Sequence, residues 1–154
     1  MKKLDNTDQK ILAQLYANSR ITNKDLSKIV GVSPSTCLER MKRLQRSGVI
    51  KAFRLNIDYK AIGGNIEAMT SIRLGKHSTH IIESFRYDLI ACPEVLRIFY
   101  MGGENDFLLH ITVKDTQHLR EFVARSITSR EEVVHLETTL IYEQLISNTL
   151  PVFK

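Results

Sequence analysis

Residues 22–44 read TNKDLSKIVGVSPSTCLERMKRL and hold two helix-start signals, Thr22 and Ser33, eleven residues apart with Gly31 between them. Thr22 suits the N-cap of a first helix, and Asp25 three residues on completes a capping box. Leu26, Ile29 and Val30 supply an apolar stripe that Gly31 stops. The chain restarts at once. Ser33 can accept from the next free amides, and Pro34 fits the first helical position because its missing N–H costs nothing there. Leu38, Met41 and Leu44 then give a new apolar face before Gly48. Two short helices joined by so tight a turn cannot lie antiparallel. They cross steeply, and the second projects outward, as the reading helix of a helix-turn-helix does.

That second helix is expected from Pro34 to about Arg46. Off its apolar stripe it carries Ser35, Thr36, Glu39, Arg40, Lys42, Arg43 and Arg46. Arg can chelate guanine in the major groove, and Ser and Thr can serve either hydrogen-bonding sense. Glu39 could accept from cytosine N4 or hold Arg43 at i+4. Any exposed helix carries charges of this kind, so the specificity lies in the combination of caps, turn and charge. Ser33, Pro34, Ser35, Thr36, Glu39, Arg40, Arg43 and Arg46 are the expected positions at double-stranded DNA.

Upstream, Asp5 and Asp8 have capping spacing ahead of Ile11, Leu12 and Leu15, and Asn18-Ser19-Arg20 stops that helix, so three helices can share one small core. Downstream, Val49 to Asn56 alternates loosely, as a wing-like strand or hairpin would, with Lys51 and Arg54 in reach of phosphate.

Charge divides the 154 residues in the same place. Residues 1–60 hold 13 Lys and Arg against 5 Asp and Glu, a net of +8. Residues 61–154 hold 9 against 12, or −3, which recovers the total of +5. A strongly basic first domain and a mildly acidic second one suit nucleic-acid binding in the first alone. No stretch approaches the roughly 18 to 20 apolar residues that a bilayer span needs, so a cytoplasmic protein without a membrane partner is expected. Cys37 and Cys92 show no CxxC spacing and no neighbouring histidine cluster, which argues against zinc or a disulfide framework. Cys37 reads as a small packing residue.

Residues 57–65, ending in Gly63-Gly64-Asn65, read as a linker. From Ile66 onward strand and helix patterns alternate regularly. Ile66 to Leu74 is a strand; Ser78 or Thr79 caps a helix with Ile81, Ile82, Phe85 and Leu89 inward; and Pro93 ends it. Val95–Tyr100 and Asp106–Val113 are strands joined by the turn Gly102-Gly103-Glu104-Asn105. Asp115 or Thr116 caps a second helix with Leu119, Phe122, Val123 and Ile127 inward, and Val133–Tyr142 is the last strand. The order βαββαβ is the split unit of ferredoxin-like folds. The expected fold class is thus α+β: a winged helix-turn-helix domain over 1–56, a linker over 57–65 and a ferredoxin-like domain over 66–154. Helices on one side of the sheet leave the other bare. With Ile72, Leu74, Phe99, Leu109 and Ile141 as candidates for that bare face, sheet-to-sheet dimerisation is expected.

With both halves placed, the chain resembles the Lrp/AsnC family of bacterial and archaeal transcriptional regulators over essentially its whole length. The resemblance rests on separated motifs in order. They are Leu4-Asp5-x-x-Asp8-x-x-Ile11-Leu12; Asn18-Ser19-Arg20 with Thr22-Asn23-x-x-Leu26-Ser27; Val30-Gly31-Val32-Ser33-Pro34-Ser35; Arg40-x-x-Arg43-Leu44 with Gly48-Val49-Ile50; Pro93-Glu94-Val95; and Gly103-Glu104-x-Asp106-Phe107-Leu108-Leu109. The resemblance implies a DNA-binding winged helix-turn-helix joined to an effector-binding domain, assembled as dimers and commonly as octamers of four dimers. It implies that an amino acid is held between dimers by the turn Met101, Gly102, Gly103, Glu104 and Asp106, with Thr138, Thr139, Leu140 and Ile141 of the last strand near it. A zwitterion needs an acceptor for its ammonium, which Asp106 or Glu104 could supply. It needs donors for its carboxylate, which turn amides or the hydroxyls of Thr138 and Thr139 could supply. The sequence departs from the family pattern at Gly102, where threonine or serine is common, at Asn105, where an aromatic is frequent, and at Ser129 to Val133, where Leu-Pro-Gly-Val is usual.

Two rivals belong to other classes. An enzyme would need a constellation that the five histidines, His77, His80, His110, His118 and His135, do not form. No Walker loop, dinucleotide fingerprint or nucleophile elbow is present, so neither cofactor nor metal is expected. An architectural protein that wraps or bridges DNA with little ligand control would use phosphate contacts alone.

Overall fold

A computed structural model describes residues 4–151 of the chain. It divides into two compact units, Met1–Asn56 with Leu145–Lys154, and Ile57–Gln144. The segment 57–65, expected as a linker, folds with the second unit, and 145–154, expected with the second, groups with the first.

The first unit contains α1 (Asn6–Ala17), α2 (Asn23–Val30) and α3 (Pro34–Arg46). Each begins at the cap that the sequence offers. Asp5 and Asp8 form a full capping box on α1. Thr22 accepts from the Asp25 amide on α2, and Ser33 accepts from the Thr36 amide on α3. The Asp25 carboxylate takes the Thr22 hydroxyl at 2.7 Å instead of completing a box. Gly31 closes α2 in the left-handed region, at φ 75° and ψ 40°. An added Cβ would touch nothing there, so the glycine is needed for backbone freedom and not for space. Ile11, Leu15, Leu26, Val30, Cys37 and Leu44 make the core. Ile29 and Leu38, expected on the inward stripes, are 56% and 40% exposed. Ser27 takes an inward place on α2, sealed by a bond from its hydroxyl to the Lys24 carbonyl. Val49 to Asn56, expected as a wing-like strand, forms no strand. Among the described residues nothing pairs with it as a ladder, and a lone extended segment cannot satisfy its own amides.

The second unit is a four-stranded antiparallel sheet in the order β2-β3-β1-β4, formed by β1 (Ile66–Leu74), β2 (Val95–Tyr100), β3 (Phe107–Val113) and β4 (Val133–Ile141). Two helices, α4 (Thr79–Ile90) and α5 (Thr116–Val123), are capped by Ser78 and Asp115. The ferredoxin-like expectation therefore holds. The core joins Ala68, Ile72 and Leu74 of β1, and Phe107, Leu109 and Ile111 of β3, to Phe85, Leu89, Phe122 and Ile127. Ile72, Leu74 and Leu109 are therefore corrected from the bare face to the covered one, since all three are almost wholly buried in that core. Register then assigns the other face. Glu67, Met69, Ser71 and Arg73 of β1 stand level with Thr112, His110 and Leu108 of β3 and with Ile141, Thr139, Glu137 and His135 of β4. Arg97 and Phe99 join them from β2, opposite His110 and Leu108. This face is mixed in polarity, with the buried His110 bonded to Glu67 at 2.9 Å.

Before β1, Lys60–Ile62 make one 3₁₀ turn. Gly64 then packs so tightly that a Cβ would overlap the Thr112 hydroxyl. After α5 the helix widens into a π turn over Ala124–Thr128, closed by the Ser129 amide on the Ala124 carbonyl. Phe122 and Ile127 are both fully buried although five residues apart. That interval suits the wide turn and not the 3.6-residue period of an α-helix.

Candidate functional site

The nucleic-acid side is built on the start of α3. Ser33 holds the Thr36 amide at 3.2 Å, and its hydroxyl also lies 3.0 Å from that of Ser35 and 2.8 Å from that of Thr36. The Asn23 side-chain amide donates to the Pro34 carbonyl at 2.9 Å, which fixes the start of α2 against the start of α3. Ser33, Pro34, Ser35, Thr36, Glu39, Lys42 and Arg46 are all exposed, so one face of α3 offers hydroxyls at its first turn and cations at its last. Lys51 and Arg54 are exposed beyond it.

Arg40 and Arg43, expected at the duplex, are bound within the chain. Arg40 Nη1 reaches Asp5 Oδ2 at 2.6 Å and Asp8 Oδ1 at 2.9 Å; Arg43 Nη2 reaches Asp8 Oδ2 at 2.6 Å. Asp8 is 2% exposed. The bond from Arg40, then the Asp8 amide, holds the Asp5 carboxyl below its usual range, and the two carboxylates raise Arg40 in turn. Among the described hydrogen bonds and ion pairs Arg43 does not meet Glu39, so the i+4 alternative is not formed. Cys37, beside these residues on α3, is fully buried, and burial pushes its thiol up, as suits a packing residue.

On the second unit, Met101 to Asp106 close the β2–β3 hairpin, with the Met101 amide donating to the Asp106 carbonyl at 2.8 Å. Gly102, Gly103 and Glu104 are exposed. Glu104 faces Arg73 at 3.4 Å. Both oxygens of Asp106 are engaged: Oδ2 accepts from the Leu74 amide at 2.7 Å, and Oδ1 lies 2.8 Å from His77 Nε2. The last-strand candidates do not converge on this turn. Thr138 meets Thr70 on the helix-covered side at 3.1 Å, and Leu140 shares that side. Thr139 and Ile141 point to the other. The turn sits level with Ile72 and Leu74, while Thr138 to Ile141 pair with Thr70 to Glu67. They therefore lie about 7 to 17 Å away along the strands and two strands over.

Two further clusters escaped sequence reasoning. Glu94 is 6% exposed; its Oε1 accepts from His118 Nε2 at 3.0 Å and Arg125 Nη2 at 2.8 Å, while Oε2 has no partner. The Lys114 amide donates to His118 Nδ1, so the ring proton sits on Nε2, facing Glu94. Burial pushes the Glu94 carboxyl up, but its backbone amide, His118 and Arg125 outweigh this and hold it below the usual range. Arg130 meets Asp88 at 2.6 Å and Glu132 at 2.7 Å, and its guanidinium stands 4.9 Å from the Phe85 ring centroid. At the departure from the family pattern, Arg130 thus fastens the turn before β4 to α4. Among the described residues there is no cluster of three or more metal-ligating side chains and no helix long and apolar enough to cross a membrane.

Residues 4–51 match a family described as winged helix-turn-helix DNA-binding, and residues 67–151 match the Lrp/AsnC ligand binding domain. The chain is 38% identical to the transcriptional regulator AldR of Mycolicibacterium smegmatis, over 94% of its own length and 84% of the relative's. It is 32% identical to the leucine-responsive regulatory protein of Rhizobium meliloti, over 93% and 92%. A Neisseria meningitidis transcriptional regulator, solved as an L-Met complex, superposes with a TM-score of 0.86 at 29% identity, covering 97% of each chain. With the capped helix pair in one unit and the ferredoxin-like sheet in the other, the chain belongs to the Lrp/AsnC family: it is a transcriptional regulator with an effector-binding domain, and not an enzyme.

Proposed function

We propose that the chain is a sequence-specific DNA-binding regulator whose assembly or DNA affinity responds to an amino acid. The observation that carries the first half is α3 itself. A cap, a turn and an Asn23 bond fix its start; Ser35 and Thr36, exposed though their hydroxyls touch that of Ser33, and Glu39 face outward for base edges, while the exposed Lys42, Arg46, Lys51 and Arg54 suit phosphate. Arg40 and Arg43 act one step back, fixing the angle at which α3 leaves α1. A two-fold pair of such helices reads half-sites about one helical turn apart, or a multiple of it.

The amino-acid reading is supported by the match of residues 67–151 to a ligand-binding domain and by the L-Met complex of the Neisseria relative. The turn Met101 to Asp106 supplies amides and a carboxylate from one copy; Thr138, Thr139, Leu140 and Ile141 enter from another. An effector bound between dimers favours one assembly over another, and a coupling of about 1 to 3 kcal/mol changes affinity five- to 150-fold. The mixed face with Phe99, Leu108, Met69 and Ile141 suits a dimer contact, and higher assembly to an octamer follows the family pattern. Light scattering on the eluting protein, with each of the twenty amino acids at fixed salt, tests this. A shift between assemblies with one or two of them is expected; one unchanging assembly would overturn effector-controlled association.

One observation favours the architectural alternative. Two arginines suited to guanine are taken up by Asp5 and Asp8, which leaves hydroxyls, Glu39 and phosphate-binding cations on the outer face. Equal affinity for random and selected duplexes would decide for it.

A further inference from the structure

We propose that His77 is a built-in competitor for the effector, occupying on Asp106 the place that the effector's ammonium group takes. The inference rests on the amino-acid reading and adds a residue that the reading does not use.

Asp106 is the half-buried carboxylate of the β2–β3 turn, its side chain 13% exposed. Oδ2 is fixed by the Leu74 amide at 2.7 Å, and its own amide donates to the Ile72 carbonyl at 2.9 Å. The carboxylate therefore cannot rotate to present a different oxygen without giving up a main-chain bond. Oδ2 is turned to the main chain, so Oδ1 is the oxygen better placed for an incoming cation, and there the His77 ring nitrogen lies at 2.8 Å. An imidazole N–H and a primary ammonium N–H make the same kind of bond to a carboxylate oxygen, at the same length. The two compete for one position. Glu104, the other carboxylate of the turn, is paired loosely with Arg73 at 3.4 Å and is 81% exposed, so it offers an ammonium far less.

His77 is suited to being displaced. Its side chain is 54% exposed, and it sits in Gly75 to Ser78, which carries no helix or strand. Letting go of Asp106 costs it one solvent-accessible hydrogen bond, which water replaces. The loop leads directly into Ser78, the N-cap of α4 that accepts the Ile81 amide, so releasing His77 frees the chain immediately before the first turn of α4. Occupancy of the turn is thereby reported to a neighbouring element.

Titration calorimetry with each of the twenty L-amino acids on the full chain, wild type and His77→Ala, tests the latch. The expected result is that at least one amino acid binds and that His77→Ala binds it about three- to tenfold tighter, the gain from removing one exposed competing bond. The same side chain carried on the deaminated acid should bind both proteins alike, because nothing then competes for Oδ1. The His77 ring resonances of the wild type should move on addition of the amino acid. Binding to His77→Ala that is equal or weaker, or an equal gain with the deaminated acid, would overturn the latch and leave the effector site standing. No binding of any amino acid to either protein would overturn the effector reading, and the latch with it.

Discussion

Arg43 Nη2 lies 2.6 Å from Asp8 Oδ2, and Asp8, only 2% exposed, is shared with Arg40. The carboxylate accepts the Asp5 amide at the head of its own helix and receives two guanidiniums from α3, so one side chain ties the start of α1 to its crossing with α3. Asp8→Asn keeps the shape and removes the charge. The guanidiniums are partly exposed and can return to water, so the expected loss is about 1 to 3 kcal/mol, below that of a fully buried pair. Urea unfolding followed by circular dichroism measures it; an unchanged midpoint would show that the pair is incidental.

Arg43→Ala and Arg46→Ala should separate cleanly. Arg43 is tied to Asp8, so its loss should lower stability and weaken DNA binding only through a disturbed α3. Arg46 is exposed, and among the described residues it has no ion-pair partner. Its loss should leave the unfolding midpoint alone, weaken binding alike on every duplex and reduce the slope of log affinity against log salt by about one. Thr36→Ala should instead cost about 1 to 3 kcal/mol on one base pair only. Gel-shift titrations across salt and across single-base operator variants distinguish the three.

Gly64→Ala should destabilise the second unit. The new methyl would overlap the Thr112 hydroxyl and come within 3.1 Å of the Tyr59 carbonyl oxygen, and overpacking of this kind costs about 1 to 3 kcal/mol. Thr112→Ala removes the oxygen, which has no hydrogen-bond partner, and should recover part of the loss. A double-mutant cycle in thermal unfolding reads the coupling; strict additivity would mean that the methyl is accommodated elsewhere.

Acid should weaken the second unit through Glu94 and Glu132. Burial pushes each up, but the backbone amides, the His118 ring N–H and the cations Arg125 and Arg130 outweigh it, and both carboxyls sit below the ordinary value of 4.5. Because they ionise more readily in the folded chain, their contribution is complete above that ordinary value and is lost as pH falls through the lower folded one. Glu94→Gln should therefore be less stable than wild type at neutral pH, with the deficit closing below about pH 4.5. A deficit independent of pH in urea titrations would assign the residue's role to shape alone.

What could be read from residues alone was local. Thr22, Gly31, Ser33 and Pro34 fix the helix ends through their own backbone and nearest neighbours, and the succession of strands and helices along the chain followed from alternation and turn chemistry. Sheet faces were harder: β3, FLLHITV, does alternate between a wholly apolar side, Phe107, Leu109, Ile111 and Val113, and a mixed one, Leu108, His110 and Thr112, but the most apolar residues were set on the bare face when they belong under the helices. Ion pairs spanning 32 to 35 residues were harder still. A signal was there: Asp8 lies on the same stripe as Ile11, Leu12 and Leu15, at i, i+3, i+4 and i+7, and a carboxylate on an inward stripe requires a cation. His77 gave no such signal, since its meeting with Asp106 depends on how a loop folds back over a hairpin turn.

The π turn at Ala124–Thr128 behaves as a one-residue insertion written into a helix. Deleting a single residue between Phe122 and Ile127 would bring the latter to i+4 and allow an unbroken α-helix, so packing alone does not demand the extra residue. What a shortened helix would forfeit is the placement of Arg125 beside Glu94. The widened turn thus carries the exposed Arg125 to the Glu94 carboxylate while Phe122 and Ile127 both stay buried.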